Sequence, residues 1–173
     1  MTDPRYPIGA FEPVGRPLSE QERNTRIDTI AMHPERVRER VEGLDDDRLD
    51  TPYRSGGWTL RQLTHHLADS HMNAYIRFRL ALTEEQPTIQ PYDQDGWARL
   101  TDAERAPVEP SLRILDGLHE RWATLLRALD HDDFQKLMRH PEIGDVSLDF
   151  MLDLYAWHCA HHEAHLGTGS MVT

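Results

Sequence analysis

The stretch Ser147-Leu-Asp-Phe-Met-Leu-Asp-Leu-Tyr-Ala-Trp-His-Cys-Ala-His-His-Glu-Ala-His165 decides the fold. Leu148, Met151, Tyr155, Cys159 and Leu166 return to one side of a helix of 3.6-residue period, so the segment reads as an amphipathic helix. Ser147 stands where an N-cap is needed and Gly167 where a C′ glycine ends a helix. The sequence therefore predicts a helix that runs to Leu166 and stops at Gly167. At about 100° per residue, His158 and His162 fall beside the apolar stripe, His161 points to the far side, and His165 sits at the rim. Two imidazoles four residues apart on one face can reach a common ion.

Three more stripes lie upstream. Ser19 with Glu22 forms a capping box after Leu18, and Ile27, Ile30, Ala31, Val37, Val41 and Leu44 follow at helical spacing. This first helix is expected to reach about Leu44, with a kink or short break at Pro34. Thr59 with Gln62 is a second capping box, and Leu60, Leu63, Leu67, Ala74, Phe78 and Ala81 carry a second helix to about Leu82. The third runs from Pro110, a residue suited to a first helical position, to Leu129, through Leu112, Leu115, Leu118, Trp122 and Leu125.

The intervening segments read as connections. Residues 1–18 hold Pro4, Pro7, Pro13 and Pro17 and predict an extended arm over the domain. Residues 45–57 are a polar connector. Residues 83–109 contain Pro87, Pro91, Gly96 and Pro107. They predict a long connection that crosses the bundle, with a short helix around Trp97–Leu100. Residues 130–145 are polar, with a turn or hairpin near Glu142–Asp145. Four amphipathic helices and a long crossover predict one all-α domain over residues 1–173, a four-helix bundle.

The second helix offers a third imidazole. In His65-His66-Leu67-Ala68-Asp69-Ser70-His71, rotation places His66 on the flank of the stripe near Leu63 and Ser70. His65 faces nearly the opposite way, and His71 lies at the other edge. A single histidine on a stripe is more often a hydrogen-bonded core-edge residue than a ligand, and an isolated pair four apart is a weak signal. Three desolvated imidazoles on two helices need partners, however. Three neutral imidazoles suit Zn2+, or Ni2+, Co2+ and Fe2+, and three protein ligands leave a position open, as catalytic sites do. The metal ligands expected are His66, His158 and His162; the sequence names no general acid or base.

Other residues read more plainly. Cys159 belongs to the core, since a reactive thiol needs exposure and positive charge nearby. Trp157 points off its stripe, toward a second subunit or the proline-rich arm. Asp69, Asp153 and Glu163 are expected to be solvated, with the option of orienting a ligand imidazole.

Composition narrows the function classes. Hydrophobic residues make up 38% and charged residues 28% of the 173, as in globular domains. The net charge of −11 disfavours nucleic acid and anionic membranes as partners. No apolar run approaches the ~18 residues of a membrane span. The first residues lack a signal-peptide layout, and the lone Cys159 suits a reducing compartment, so a cytoplasmic location is expected.

Several stretches together resemble the DinB/YfiT-like superfamily of metalloenzymes, in particular its YfiT branch. They are Tyr6–Gly9, Thr51–Arg54, Gly56–Thr59, His65–Asn73, Tyr75–Phe78, Pro91–Asp93 and Tyr155–His162, in order along nearly the whole chain. The resemblance implies a four-helix bundle, a cytoplasmic homodimer, and a metal held by the histidine before Leu-Ala-Asp and by two histidines four apart on the last helix. Those positions are His66, His158 and His162. It further implies one divalent ion per chain acting on a small-molecule substrate. The chemistry implied is either transfer of a low-molecular-weight thiol such as bacillithiol to an electrophile, which is preferred, or hydrolysis with water as nucleophile. A non-catalytic metal sensor is the reading from another class. Arg54, Arg61 and Arg77 are the candidates to receive an anionic thiol.

Overall fold

The computed structural model describes residues 3–169. The two capping boxes form with both reciprocal hydrogen bonds. Ser19 opens α1 (Glu20–Val41), and the polar connector holds a one-turn helix α2 (Asp46–Leu49) before Thr59 opens α3 (Leu60–Thr83). The 83–109 connection carries two short helices rather than one, α4 (Gln94–Ala98) and α5 (Thr101–Arg105). Next comes α6 (Glu109–Arg127), with Pro110 in its first turn, where the missing N–H has no intrahelical partner to lose. A further turn, α7 (His131–Gln135), leads into an antiparallel hairpin of β1 (Leu137–His140) and β2 (Gly144–Ser147). The final helix α8 (Leu148–Gly169) starts with Ser147 Oγ accepting from the Phe150 N–H at 3.2 Å.

The ends of α1, α6 (Arg127 rather than Leu129) and α8, and the break expected at Pro34, differ from the sequence expectation. α1 ends at Val41 rather than Leu44 and continues through Pro34 without a break. Pro34 removes one N–H, the one that would bond the carbonyl of Ile30, and that carbonyl instead accepts from His119 Nδ1 at 2.6 Å. α8 does not stop at Gly167 but reaches Gly169. Gly167 therefore lies inside the helix rather than capping it, with the tip of the Arg40 side chain 3.0 Å from where its Cβ would stand.

The four long helices form the bundle. α1 packs against α6 and α8, and α3 packs against the same two, so α1 and α3 occupy opposite corners. The chain therefore crosses the bundle between α1 and α3 and again between α6 and α8. The 83–109 connection crosses nothing: it joins neighbouring helices and lays α4 and α5 along α3.

The core divides into two apolar clusters. One holds Ile30, Ala74, Phe78, Trp122, Met151, Tyr155 and Cys159; the other holds Val37, Leu60, Leu63, Leu67, Leu115 and Leu166. Between them, at the same level on each long helix, stand His33, His71, His119 and His158. A polar layer thus cuts across the interior of the bundle, and the candidate site opens from it.

Candidate metal centre

Three expected ligands come together. One ring nitrogen each from His66 on α3 and from His158 and His162 on α8 lie within 4.8 Å of one another. The ring centroids of His158 and His162 are 4.4 Å apart, and His66 is 5.6 and 5.2 Å from them. The one-turn spacing on α8 sets the first distance, and the packing of α3 on α8 sets the other two. The Trp58 ring closes over His66 at 4.6 Å, and its Nε1 donates to Asp95 at the start of α4. The connection that lies along α3 is thereby tied to the site.

Burial fixes the protonation. It lowers His66 to about 4, and it pushes His158 and His162 well below the ordinary histidine range, with His66 adding to both and His158 adding to His162. All three rings are neutral at pH 7 and carry a bare lone pair, which is the form a metal binds. Three neutral imidazoles around one point fit a borderline divalent ion.

Two other groupings lie nearby. His33, His71 and Cys159 approach within 4.8 Å in the core. Both nitrogens of His71 are already hydrogen-bonded, and burial pushes the Cys159 thiol well up, so it stays protonated. That grouping does not fit an ion. His161, His162 and His165 form an outer trio from α8 alone, and it borrows His162 from the first.

The matching pattern of the DinB superfamily spans residues 29–166, which include all three converging histidines. The chain belongs to the DinB superfamily. It is 50% identical over 166 residues to a Bacillus cereus protein named "Putative metal-dependent hydrolase", covering 96% of this chain and 95% of that one. A Bacillus thuringiensis protein of the same name is 49% identical over the same length. Among solved structures, YfiT from Bacillus subtilis superposes with a TM-score of 0.94 at 44% identity, covering 98% of this chain and 97% of that one. YfiT is described as a probable metal-dependent hydrolase with an unusual four-helix bundle topology.

Several residues of this DinB-superfamily chain lie where the sequence did not put them. His65 is not outward-facing. Its Nε2 donates to the Ala106 carbonyl at 3.2 Å and its Nδ1 accepts from Ser111 Oγ at 2.7 Å, because α5 and α6 cover the second side of α3. His161 is buried, stacked on Trp157 at 4.4 Å and with the ring of Tyr6 from the arm 6.1 Å away. His165 is buried too and donates from Nε2 to the Pro4 carbonyl. Trp157 gives its Nε1–H to the Gly9 carbonyl at 3.3 Å, so the chain's own arm meets it.

The acidic residues are likewise engaged. Asp153 pairs with Arg26 at 2.6 Å and Glu163 with His33 at 2.6 Å, so neither is simply solvated. Asp69 is half-buried one turn after His66, and desolvation, with Asp102 of α5 adding, raises its carboxyl to about 6. No carboxylate among the described residues is hydrogen-bonded to His66, His158 or His162. Of the three arginines, Arg61 is buried against Asp50 and Asp46, both at 2.6 Å, and Arg77 donates to the Gln90 carbonyl at 2.9 Å. Arg54 lies over Tyr53 and near enough to His165 to lower that ring.

His33 and His119 escaped the sequence reading. Both sit on stripes already drawn, His33 between Ile30 and Val37 and His119 between Leu115 and Trp122. A polar residue in the middle of an apolar stripe was the available signal.

Proposed function

We propose that this chain is a metal-dependent hydrolase whose single divalent ion, Zn2+ in the first place and Ni2+ in the second, is held by His66, His158 and His162. The convergence of three neutral imidazoles from two helices carries the reading, and the names of its relatives support it. When bound, the ion supplies Lewis acidity and lowers the pKa of the attacking nucleophile.

The chain's own residues supply the rest. Asp69 is the candidate general base: a carboxyl near pKa 6 is ionised at pH 7 and accepts a proton from water with useful driving force. Tyr92, from the connection along α3, stands close enough to feel Asp69, and burial pushes its own hydroxyl up to about 12, so it stays protonated and can donate a hydrogen bond. Trp58 excludes water from one side of His66.

Thiol transfer is the second reading, and one observation favours it: the Arg54 guanidinium, which donates to the Ser55 carbonyl at 3.2 Å, lies near the outer His165. With Arg61 and Arg77 committed to other partners, hydrolysis moves ahead of it. A cytoplasmic location and a homodimer belong to the same proposal. The first is supported by the single reduced Cys159 and by the lack, among the described residues, of any helix long and apolar enough to cross a membrane. The dimer is supported by the resemblance alone, now that the arm accounts for Trp157. Sedimentation at micromolar concentration tests it, and a clean 20.1 kDa species ends it.

The deciding experiment is a panel of esters and amides assayed with the metal-loaded protein, alone and with bacillithiol, cysteine or glutathione. Hydrolysis without thiol that stops in His162→Ala supports the proposal. Turnover of an electrophile only when thiol is present reverses the order of the two readings, and no turnover of either kind leaves a metal-binding module.

A further inference from the structure

Three of the histidines in the polar layer are joined in a line. His119 Nδ1 lies 2.6 Å from the carbonyl oxygen of Ile30, His71 Nδ1 lies 2.8 Å from His119 Nε2, and His158 Nδ1 lies 3.1 Å from His71 Nε2. The Ile30 carbonyl is available for a reason written in the sequence. In an α-helix it would accept from the N–H of residue 34, and residue 34 is proline.

That carbonyl sets the polarity of the whole line. A carbonyl oxygen only accepts, so His119 carries a proton on Nδ1. The His119 ring is buried, with no carboxylate hydrogen-bonded to it, and burial holds it neutral, lowered to about 3. A neutral imidazole protonated at Nδ1 offers a lone pair at Nε2, so His71 must donate from its own Nδ1. The same step repeats, and His158 donates from Nδ1 to His71 Nε2. The Nε2 of His158 is left bare. Every N–H in the line points toward Ile30, and the only lone pair left over lies at the opposite end.

We propose that His71 and His119 are positioning residues that fix the tautomer and ring orientation of His158 before any metal arrives. The other two candidate ligands are held differently. His162 Nδ1 is buried with no hydrogen-bond partner, and His66 is packed beneath Trp58. His33 touches the line, at 5.0 Å from His71 and 5.5 Å from His119, without joining it, because its Nδ1 faces Glu163. A ligand whose second nitrogen is anchored binds metal more tightly than one free to turn, and loss of such an anchor costs about 10–100-fold in affinity.

The functional meaning of the line rests on His158 as a ligand, but its tautomer can be read without metal. Long-range 1H–15N spectra of the metal-free, full-length protein should show His119, His71 and His158 all protonated at Nδ1, the tautomer that free histidine disfavours. His119→Phe should scramble the His158 tautomer and weaken Zn2+ binding about 10–100-fold in chelator competition. His119→Gln should restore most of that loss, since its amide both donates to Ile30 and accepts from His71. An Nε2–H tautomer at His158 in the wild type overturns the proposal, as does wild-type Zn2+ affinity in a folded His119→Phe. Should that variant fail to fold, the wild-type spectrum still decides. Three Nδ1–H tautomers in a protein that takes up neither Zn2+ nor Ni2+ would end the metal reading and leave the line standing.

Discussion

The Nδ1 of His33 and the Oε1 of Glu163 stand 2.6 Å apart, where α1 meets α8. His33 is fully buried, and burial outweighs the carboxylate and lowers its pKa, so the neutral ring donates its one N–H to Glu163. Glu163→Ala would leave that donor unpaired inside the bundle. It should cost about 1–3 kcal/mol in urea unfolding with metal content unchanged. A loss below about 0.5 kcal/mol would show that water replaces the carboxylate without penalty.

Acid should unfold the metal-free protein through its histidines. Burial holds His66 and His161 at about 4 and His119 at about 3, all below the ~6.5 of an unfolded chain. Between those values the unfolded chain binds more protons. The stability is therefore fully present above pH ~6.5 and is lost as the pH falls toward 4, at about 1.4 kcal/mol per pH unit for each histidine involved. Thermal melts of the metal-free protein should drop steeply over that window, and a flat Tm from pH 7 to 5 would contradict the assignment.

Much of this was legible in the chain. The capping boxes at Ser19 and Thr59 form as read, and the stripe residues Ile27, Ile30, Leu63, Phe78, Leu115 and Trp122 are buried. The same rotation brought His66, His158 and His162 together. It failed at His65 because a one-stripe helix is assumed to leave its other side to solvent, whereas α3 is covered by α4, α5 and α6 as well as by α8. It failed at Gly167 because a glycine costs a helix only about 1 kcal/mol and need not end it. The line from His158 to Ile30 was illegible for a related reason: each member sits at an ordinary stripe position, and only the assembled bundle sets them end to end.

His65→Ala separates structure from ligation. Loss of the Ser111 and Ala106 contacts should destabilise the protein by about 1–3 kcal/mol, while metal content stays at the wild-type level. Metal loss from a folded His65→Ala protein would show that the wrong ring of the His65–His66 pair was chosen.

Asp69→Asn tests the general base. Turnover should fall by about 10²–10⁴ with metal retained, and the acid limb of the kcat profile near pH 6 should disappear. An unchanged profile would remove Asp69 from the chemistry and turn attention to its neighbours Tyr92 and Asp102.

Metal stoichiometry bears most directly on the central claim. By elemental analysis, the purified protein should carry close to one divalent ion per chain. His66→Ala, His158→Ala and His162→Ala should each lose most of it, while His140→Ala, on the β1 strand away from the bundle interior, should keep it. A folded wild-type protein without metal, or triple-site variants that hold it as well as His140→Ala does, would contradict the account.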